Sequence, residues 1–483
     1  MKTIIITLCL CYSSTAYGQI FTNASTNLPN NGAKGQSMDV VAVDVDGDKD
    51  LDIVLANEFQ ANTILINDGK GNFKNGTAGK LPQIIRDSED IAYADFNGDG
   101  FVDLVFCSED DIVMGKTKVH EYYLGDGKGG FTSAPFILPD SEANAIATAD
   151  INRDGFPDII LGNKGKNTVL INDGKGNFAI ENNRLPSDEK TTQDLAFVDV
   201  NGDGILDLFE GNEDGNELYI GNEQGYFTKV TETHLPKDFD IETRKICFAD
   251  IDRDKDIDIF LANVEFKPGK DPQNRLLINN GNGIFTDKTA AQLPADEDHT
   301  IDAIFEDVDG DKDMDLLLAN VFGAHIKCYF NDGNGNFTDN TLDVFEEYYV
   351  RDALGIIAAD FNGDGLRDLY ICDRYNPNKV QKDLLLINAG TTKVASFDDK
   401  PNDYKLFPHP VGNTFSVNID TEDIESISLI NQCGEYISPV GFTMVKQGIF
   451  TCTIENNRIA DGLYYVKIAT RSSSLSKPII IQQ

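Results

Sequence analysis

The sequence contains no tryptophan and only five histidines among its 483 residues. It also lacks a Gly-x-Ser-x-Gly elbow, a phosphate-binding loop and a His-based metal motif. These absences argue against most hydrolase, nucleotide-binding and zinc-enzyme classes, although residues from separate parts of a fold can still assemble a site. The lack of tryptophan also weakens the case for a sugar-stacking site.

Basic residues are scarce. The chain has 41 Lys and Arg against 80 Asp and Glu, a formal net charge of −39. This sign argues against nucleic acid or an anionic membrane as the main partner. A positive residue, an apolar stretch and small residues make residues 1–18 a predicted signal peptide. No later run reaches the ~18 apolar residues of a membrane-spanning helix, so we expect a soluble, exported protein without a transmembrane segment.

Cysteines are few, and none has zinc-site spacing. Cys107, Cys247, Cys328 and Cys372 lie within apolar strand patterns, which predicts small buried side chains rather than reactive thiols. Cys433 and Cys452 lie in one C-terminal segment and would be able to pair in an oxidising compartment. The sequence leaves that pairing open.

Against these absences stands one abundant feature, a nine-residue acidic loop that returns about every 50 residues. It has Asp at positions 1, 5 and 9 and Asp or Asn at position 3, as in Asp95-Phe-Asn-Gly-Asp-Gly-Phe-Val-Asp103. We number these loops 1 to 7 along the chain. Their first residues are Asp44, Asp95, Asp150, Asp199, Asp250, Asp307 and Asp360.

Each loop is flanked by the same parts: one strand before it, two apolar strands after it, then a glycine-rich turn leading to Phe, as in Asn67-Asp-Gly-Lys-Gly-Asn-Phe73. Four short strands per unit, repeated in this way, predict a β-propeller. The seventh unit lacks its fourth-strand Phe, and Phe21 to Pro29 matches the missing piece. We predict that this N-terminal strand completes the last unit and closes the ring.

The loop composition predicts calcium, because Ca²⁺ takes six to eight oxygen ligands in flexible geometry. Side chains at positions 1, 3, 5 and 9 and the backbone carbonyl of position 7 would supply them, in up to seven sites. The candidate ligands are Asp44, Asp46, Asp48, Asp50 and Asp52; Asp95, Asn97, Asp99, Phe101 and Asp103; Asp150, Asn152, Asp154, Phe156 and Asp158; Asp199, Asn201, Asp203, Ile205 and Asp207; Asp250, Asp252, Asp254, Asp256 and Asp258; Asp307, Asp309, Asp311, Asp313 and Asp315; and Asp360, Asn362, Asp364, Leu366 and Asp368.

The loops are not equivalent. Lys49, Lys255 and Lys312 replace glycine at position 6, and Arg153 and Arg253 replace it at position 4. Where the backbone needs a positive φ, such a side chain costs roughly 1 kcal/mol. Loop 5 carries both changes, so we predict that it is the weakest site.

The loop and the Gly-x-Gly-x-Phe turn together resemble the FG-GAP and VCBS-type repeats, the calcium-bearing units related to the head of integrin α chains. The resemblance spans roughly residues 20–390. It implies an all-β fold, a seven-bladed β-propeller over residues 19–390, with Ca²⁺ between the first two strands of each blade.

Residues 391–404 break the repeat and are predicted to be a linker. The segment 405–483, with Phe407-Pro-His-Pro410 and Gly462-Leu-Tyr-Tyr-Val-Lys467, resembles the C-terminal sorting domain of the type IX secretion system. This resemblance implies a small β-sandwich, contact with the type IX machinery, and a secreted or outer-membrane-surface location. The alternative is an additional β-sandwich that acts as a binding module.

Two surfaces are candidates for binding. The connections between strands 2 and 3 and between units vary in length, and they carry His120, Phe266, Lys267, Lys270, Tyr348, Tyr349, Arg351, Arg374 and Tyr375. Near the ring axis, Asp39, Asp90, Asp194 and Asp302 occupy equivalent positions in four units. These carboxylates would be able to hold a cation, but we favour hydrogen bonding to strand backbone.

We therefore expect a monomeric, calcium-binding propeller that acts as an adhesion or ligand-binding module for an extracellular protein or glycan. The alternative is a polysaccharide lyase or hydrolase with its site on the variable rim, meaning the connections between strands 2 and 3 and between units. The sequence favours binding over catalysis.

Overall fold

A computed structural model of the chain describes residues 20–29, 36–109, 119–186, 188–237, 240–295, 298–345, 349–374 and 383–390, together with strand segments between 404 and 481. The predicted signal peptide, the Cys433–Cys452 pairing, Tyr348, Tyr375 and linker residues 391–403 lie outside these residues. Contacts divide the chain into two compact units. The described residues up to 390 belong to one and those from 404 to the other.

The first compact unit is built of short strands. They are β1 (Phe21–Asn23); β2 (Ser37–Val43), β3 (Asp52–Ala61), β4 (Thr63–Asn67) and β5 (Phe73–Asn75); β6 (Ile85–Ala94), β7 (Asp103–Ser108), β8 (Glu121–Gly125) and β9 (Phe131–Ser133); β10 (Ala143–Ala149), β11 (Asp158–Gly165), β12 (Thr168–Asn172) and β13 (Phe178–Ile180); β14 (Lys190–Val198), β15 (Asp207–Asn212), β16 (Glu217–Ile220) and β17 (Thr228–Lys229); β18 (Glu242–Ala249), β19 (Asp258–Val264), β20 (Arg275–Asn279) and β21 (Phe285–Asp287); β22 (Thr300–Glu306), β23 (Asp315–Asn320), β24 (Lys327–Asn331) and β25 (Phe337–Asp339); and β26 (Ala353–Ala359), β27 (Asp368–Asp373) and β28 (Leu384–Asn388).

In the described residues, helical structure is limited to single turns after the fourth strands. The α-helical turns are α1 (Thr231–His234), α2 (Thr289–Gln292) and α3 (Thr341–Val344), and Ser25–Asn27 and Asn182–Arg184 form 3₁₀ turns. Each precedes the connection to the next unit.

In the first compact unit, antiparallel pairing joins the strands into groups of four that follow chain order, except at the seam, where β1 pairs with β28. Strand β3 also pairs with β6, and β11 with β14, so two pairs of neighbouring groups are hydrogen-bonded to each other. The first strands β2, β6, β10, β14, β18, β22 and β26 contact one another in sequence, and β26 contacts β2 again, so the ring is closed. The all-β propeller predicted from the sequence is confirmed.

The second strand of each group explains the apolar runs in the sequence. All six residues of β23, Asp315–Asn320, are buried, because neighbouring groups pack on both faces of this strand. Val40, Ile53, Tyr370 and Leu385, from the first and last groups, share one such interface. The core is therefore divided into layers between consecutive groups.

The seam lies where β1 pairs with β28. Phe21 stands opposite Asn388, the same register in which Phe73 stands opposite Asn67 within a continuous group. The Ile20 N–H donates to the Val344 carbonyl at 3.0 Å, and the Ile20 carbonyl accepts from the Ala389 N–H at 2.8 Å. The predicted closure of the ring by the N-terminal strand is confirmed.

The second compact unit contains β29 (Tyr404–Phe407), β30 (Thr414–Ile419), β31 (Ile424–Ile430), β32 (Tyr436–Lys446), β33 (Ile449–Ile454), β34 (Gly462–Thr470) and β35 (Ser474–Ile481). They pair in the order β29-β30-β33-β32-β31-β34-β35. Val466 and Ile468 are buried while Lys467 between them is exposed, so β34 has one apolar face.

The seam yields a stability prediction. Phe21 is buried and stacks on Phe345 with ring centroids 5.8 Å apart. We expect Phe21→Ala to lower the free energy of unfolding of the propeller by about 3–5 kcal/mol, since it leaves a cavity at the closure. The measurement is chemical denaturation of the full chain. Thr22→Val, in the same strand, is the control and should cost less than about 1 kcal/mol. Equal effects of the two changes would contradict this role for Phe21.

Candidate metal centres and variable rim

The acidic loops fold as they do because two positions adopt a left-handed backbone. In loop 2, Gly98 and Gly100, at positions 4 and 6, have φ of 75° and 88°. Where the sequence has Arg153, Arg253 or Lys255 instead, φ is 63°, 64° and 80°. The expected positive φ is thus present at the non-glycine positions, and it is strained there.

The first aspartate of each loop organises this turn. In loop 1, Asp44 Oδ1 accepts from the Gly47 N–H at 2.7 Å, and its Oδ2 accepts from the Lys49 N–H at 3.0 Å. These side-chain to backbone bonds replace the ladder bonds that a tight turn cannot make. They curl the loop so that its alternate side chains converge.

Three loops bring three carboxylates together. The triplets in loops 1, 5 and 6 each offer carboxylate oxygens that all lie within 4.8 Å of one another, and they are Asp44, Asp46 and Asp48; Asp250, Asp252 and Asp254; and Asp307, Asp309 and Asp311. Asp46 Oδ1 and Asp250 Oδ1 are buried oxygens without a hydrogen-bond partner. An all-oxygen, multiply charged set of this kind suits a hard divalent cation.

Loops 2, 3, 4 and 7 have Asn at position 3. In loop 2 the Asn97 amide nitrogen donates to Asp99 Oδ2 at 3.0 Å, and Asn97 Oδ1 accepts from the Asp99 N–H at 2.8 Å. The same pair of contacts recurs between Asn362 and Asp364 in loop 7. These loops offer two carboxylates and an amide oxygen, a smaller charge than the triplets.

The aspartate at position 9 has a second task besides the ligand role predicted for it. Asp103 is fully buried, its Oδ2 accepts from the Phe96 N–H at 3.0 Å, and its Oδ1 accepts from the Gly125 N–H at 2.9 Å. The equivalent aspartates make the same two bonds in the other loops. This carboxylate ties the loop to the end of the third strand.

Burial raises the pKa values of these aspartates. Desolvation, followed by repulsion from the other loop carboxylates, raises the pKa of Asp52 to about 7 and that of Asp315 to about 8. In Asp103, Asp158 and Asp368 the pKa rises to about 6 for the same reasons. The backbone N–H donors oppose these shifts without cancelling them.

The side chain at position 7 contacts the glycine-rich turn. Phe101 lies against Gly127 of the turn between strands 3 and 4, where a Cβ would stand 2.2 Å from the ring. The Asp50 carboxylate lies in the same way against Gly69. The glycine-rich turn therefore accompanies the acidic loop because it must accept this side chain.

Near the ring axis, the carboxylates bond to the next unit. Asp39 Oδ2 accepts from the Ile91 N–H at 3.2 Å, and Asp90 Oδ2 accepts from the Ile146 N–H at 2.8 Å. Asp194 and Asp302 do the same for their neighbours at 2.7 and 2.8 Å. The hypothesis of backbone hydrogen bonding, favoured from the sequence, is confirmed.

The fifth residue of this axial group is a lysine. Lys245 Nζ lies 3.7 Å from Asp302 Oδ1, and Asp302 is the main cause of the raised pKa of Lys245. The chain thus supplies a cation of its own to these carboxylates.

On the variable rim, most candidate residues have structural partners. His120 and Tyr349 are buried, and His120 Nδ1 accepts from the Ser108 N–H at 3.1 Å. Lys267 pairs with Glu213 and Asp214, and Lys270 pairs with Asp214 and Asp240.

Arg351 and Arg374 pair with Asp373 and Glu58 respectively. The cations that were predicted as binding groups therefore fix the loops of this rim.

The exposed aromatic residues of this rim were only partly foreseen. Phe322 is 61% exposed and adopts φ 58°, and Phe59, at the equivalent place in the first unit, is 42% exposed with φ 55°. Phe266 meets Phe322 at 5.4 Å between ring centroids, with the rings nearly perpendicular. The His299 ring also contacts Phe322, with ring centroids 4.7 Å apart.

The signal for Phe322 was present in the sequence. A Phe directly before Gly323, in a short connection where both residues have positive φ, replaces the Asn-Gly that such a turn favours. Phe322 contacts two rings but stays mostly exposed, so neither burial nor backbone preference explains a Phe at this point.

A cavity of about 380 Å³ lies between the fourth and fifth units. Its floor is apolar, with Phe209, Leu261 and Leu277, and its lining includes Glu232 and Lys237. The described lining contains no histidine or cysteine.

The raised pKa values predict how the metal-free protein responds to pH. An aspartate with a folded pKa above its unfolded value stabilises the fold while protonated, and this contribution is lost as pH rises through the folded pKa. After removal of metal on a chelating resin, we expect the melting temperature to fall by roughly 5–10 °C between pH 5.5 and pH 8. Saturating calcium should abolish or reverse this trend, because the ion binds the deprotonated form. A metal-free melting temperature that rises with pH would contradict the prediction.

Residues 18–106, 109–161, 150–210, 199–261, 250–318 and 307–371 match the FG-GAP-like repeat family. Residues 405–482 match the secretion system C-terminal sorting domain. The sorting domain implies secretion or display on the outer-membrane surface. No helix among the described residues is long and apolar enough to cross a membrane.

Solved structures similar to this chain include a lectin from Agrocybe aegerita that recognises non-reducing terminal N-acetylglucosamine. It is 17% identical with a TM-score of 0.42, and the match covers 71% of this chain and 87% of the lectin. The Tc holotoxin pore of Photorhabdus luminescens is 14% identical with a TM-score of 0.35, over 86% of this chain and 23% of the holotoxin chain. No curated protein matches the sequence. With repeat matches over most of its length, the chain belongs to the FG-GAP-like repeat family.

Proposed function

We propose that this protein is an extracellular calcium-binding β-propeller that acts as an adhesion or ligand-binding module. The observation that carries the proposal is Phe322, a strained and exposed aromatic residue on the variable rim. Strain of this kind persists where the surrounding structure enforces it, and it is concentrated at functional sites.

The surroundings of Phe322 are held rigidly. The carboxylate of Glu242 accepts from the N–H groups of Phe266 and Lys267, at 3.1 and 2.9 Å. The Arg244 guanidinium stacks over Phe266, 4.6 Å from the ring centroid. A pre-organised aromatic surface loses little conformational entropy on binding, which favours recognition of an extracellular protein or glycan.

Calcium is the proposed metal of the seven loops. The ligands would be the side chains at positions 1, 3, 5 and 9 and the carbonyl oxygen at position 7, and bound Ca²⁺ would replace carboxylate repulsion by attraction. Support comes from the convergent triplets and from the buried, unpartnered oxygens of Asp46 and Asp250. Calcium binding would then add directly to the free energy of folding.

Two segments of the sequence bear on export. We propose residues 1–18 as the signal peptide, 19–390 as the propeller, 391–404 as the linker and 405–483 as the domain that contacts the type IX secretion machinery. The match of residues 405–482 to a sorting domain supports the last assignment.

Metal removal tests the calcium proposal. We expect chelation at pH 7.5 to lower the melting temperature of the full chain by more than 10 °C, since several sites each contribute binding free energy. Magnesium is the control, because it demands octahedral geometry and should restore much less stability than calcium. An unchanged melting temperature would refute structural calcium.

Ligand binding is tested on a glycan and polysaccharide array, and on extracellular proteins, with the full chain in calcium. We expect Phe322→Asn to lower affinity for the ligand found by at least tenfold, while relieving backbone strain because Asn tolerates positive φ. Ile180→Asn, an equally exposed apolar position on an outer strand, is the matched control.

Unchanged binding by the Phe322 variant would place the ligand elsewhere. Product analysis on each glycan hit separates the alternative function, because cleavage of the polysaccharide would identify an enzyme.

A further inference from the structure

Loops 1 and 6 have almost the same sequence. They read Asp44-Val-Asp-Gly-Asp-Lys-Asp-Leu-Asp52 and Asp307-Val-Asp-Gly-Asp-Lys-Asp-Met-Asp315, and they differ only at position 8. In both loops three carboxylates lie close together, and the lysines at position 6 have φ of 77° and 74°. Considered alone, the two loops should hold a divalent cation equally well.

Their neighbours differ. Arg253, at position 4 of loop 5, extends to loop 6, where its guanidinium pairs with the carboxylate of Asp313 and its Nη2 lies 3.4 Å from the Asp311 carbonyl oxygen. The Asp313 side chain is only 7% exposed. Position 4 of loop 7, which precedes loop 1 around the ring, is Gly363, which has no side chain. Within the described part of the chain, no ion pair is found for Asp50, the counterpart of Asp313.

Arg253 keeps this contact in spite of backbone strain. Its φ of 64° is one that glycine adopts freely and arginine does not. Arg153 has the same strain in loop 3, but the contact it makes with loop 4 among the described residues is with the carbonyl oxygen of Gly204, at 3.1 Å, because loop 4 has Ile205 at position 7. The ion pair across loops is therefore specific to Arg253 and loop 6.

A fixed positive charge beside the loop opposes the entry of a cation. Arg253 neutralises one of the five carboxylates of loop 6, and it engages two residues, Asp311 and Asp313, that carry proposed calcium ligands. With the dielectric constant of water, which suits these solvent-exposed loops, one unit charge about 7 Å away changes the affinity for a divalent ion by roughly threefold to tenfold. Among the described residues, loop 1 receives no arginine from the preceding loop, whose position 4 is Gly363.

We propose that Arg253 is a tethered counter-ion that lowers the calcium affinity of loop 6 relative to loop 1. Two loops of nearly identical sequence then fill at different calcium concentrations. The inference rests on the proposed binding of calcium by these loops.

The test is calcium titration of the metal-free full chain, followed by competition with a chromophoric chelator. Arg253→Gln keeps the backbone strain and removes the charge, and it should tighten one site by roughly threefold to tenfold. The gain should disappear when loop 6 is silenced by Asp309→Asn with Asp311→Asn. It should persist when loop 1 is silenced by Asp46→Asn with Asp48→Asn.

Arg153→Gln is the comparison variant: Arg153 makes no ion pair with loop 4 in the described part of the chain, so its change should alter the titration less than Arg253→Gln does, and that effect should not depend on loop 6. Arg253→Lys should keep the wild-type curve. Melting in saturating calcium verifies that each variant is folded. A second measurement leaves Arg253 intact. The site lost when loop 1 is silenced should have a higher calcium affinity than the site lost when loop 6 is silenced.

Equal affinities of loops 1 and 6 in the wild type, or a gain from Arg253→Gln that survives silencing of loop 6, would overturn the inference. A chain that binds no calcium at all would instead refute the proposed calcium function on which the inference rests.

Discussion

The rim of acidic loops depends on one buried carboxylate in each unit. Asp207, for example, accepts from the Val200 N–H at 3.0 Å and from the Gly221 N–H at 2.9 Å, so it joins the loop, the second strand and the end of the third strand. Both N–H groups would be unpaired and buried without it, which costs more than an ordinary hydrogen bond is worth. Loop and turn therefore behave as one rigid element.

The same rim also joins each unit to its neighbour. The amide nitrogen of Asn67 donates to the carbonyl of Phe361 in the previous loop at 2.8 Å, and Asn331 donates to Ile251 at 2.8 Å. Near the axis, the aspartates bond forward to the next first strand. An ordered loop therefore limits the motion of the loop in the next unit. Because the ring is closed, none of the described loops lies at a free end.

The fold was predictable because its determinants are local and repeated. Loop, turn and strand recur with the same spacing, and the absence of a fourth-strand Phe in the last unit identified Phe21 as the closing residue. Even the positive φ of Arg253 followed from its replacing a glycine. Repetition allowed each unit to be interpreted from the others.

The contacts between units could not be predicted in this way, because they depend on side chains that differ from one unit to the next. Nothing in the spacing indicated that Arg253 reaches Asp313, or that Lys267 and Lys270 would be neutralised by carboxylates from neighbouring connections. Phe322 had a signal in its glycine neighbour, but its contact with Phe266 requires the two units to be placed side by side. The repeat determines the scaffold, and the departures from it determine the surfaces.

Backbone strain in this protein occurs both in the repeated scaffold and at residues that depart from the repeat. Among the described residues, the non-glycine positions with positive φ fall into two groups, and they are Lys49, Arg153, Arg253, Lys255 and Lys312 in the acidic loops and Phe59 and Phe322 on the variable rim. In the loops, hydrogen bonds from backbone N–H groups to the first aspartate hold the strained turn, and the arginines gain contacts with the next unit. The rim phenylalanines gain no comparable burial. A ring whose opposite rim is fixed by buried carboxylates has stability to offset such strain, and under the proposed function these two aromatic residues would contact the ligand.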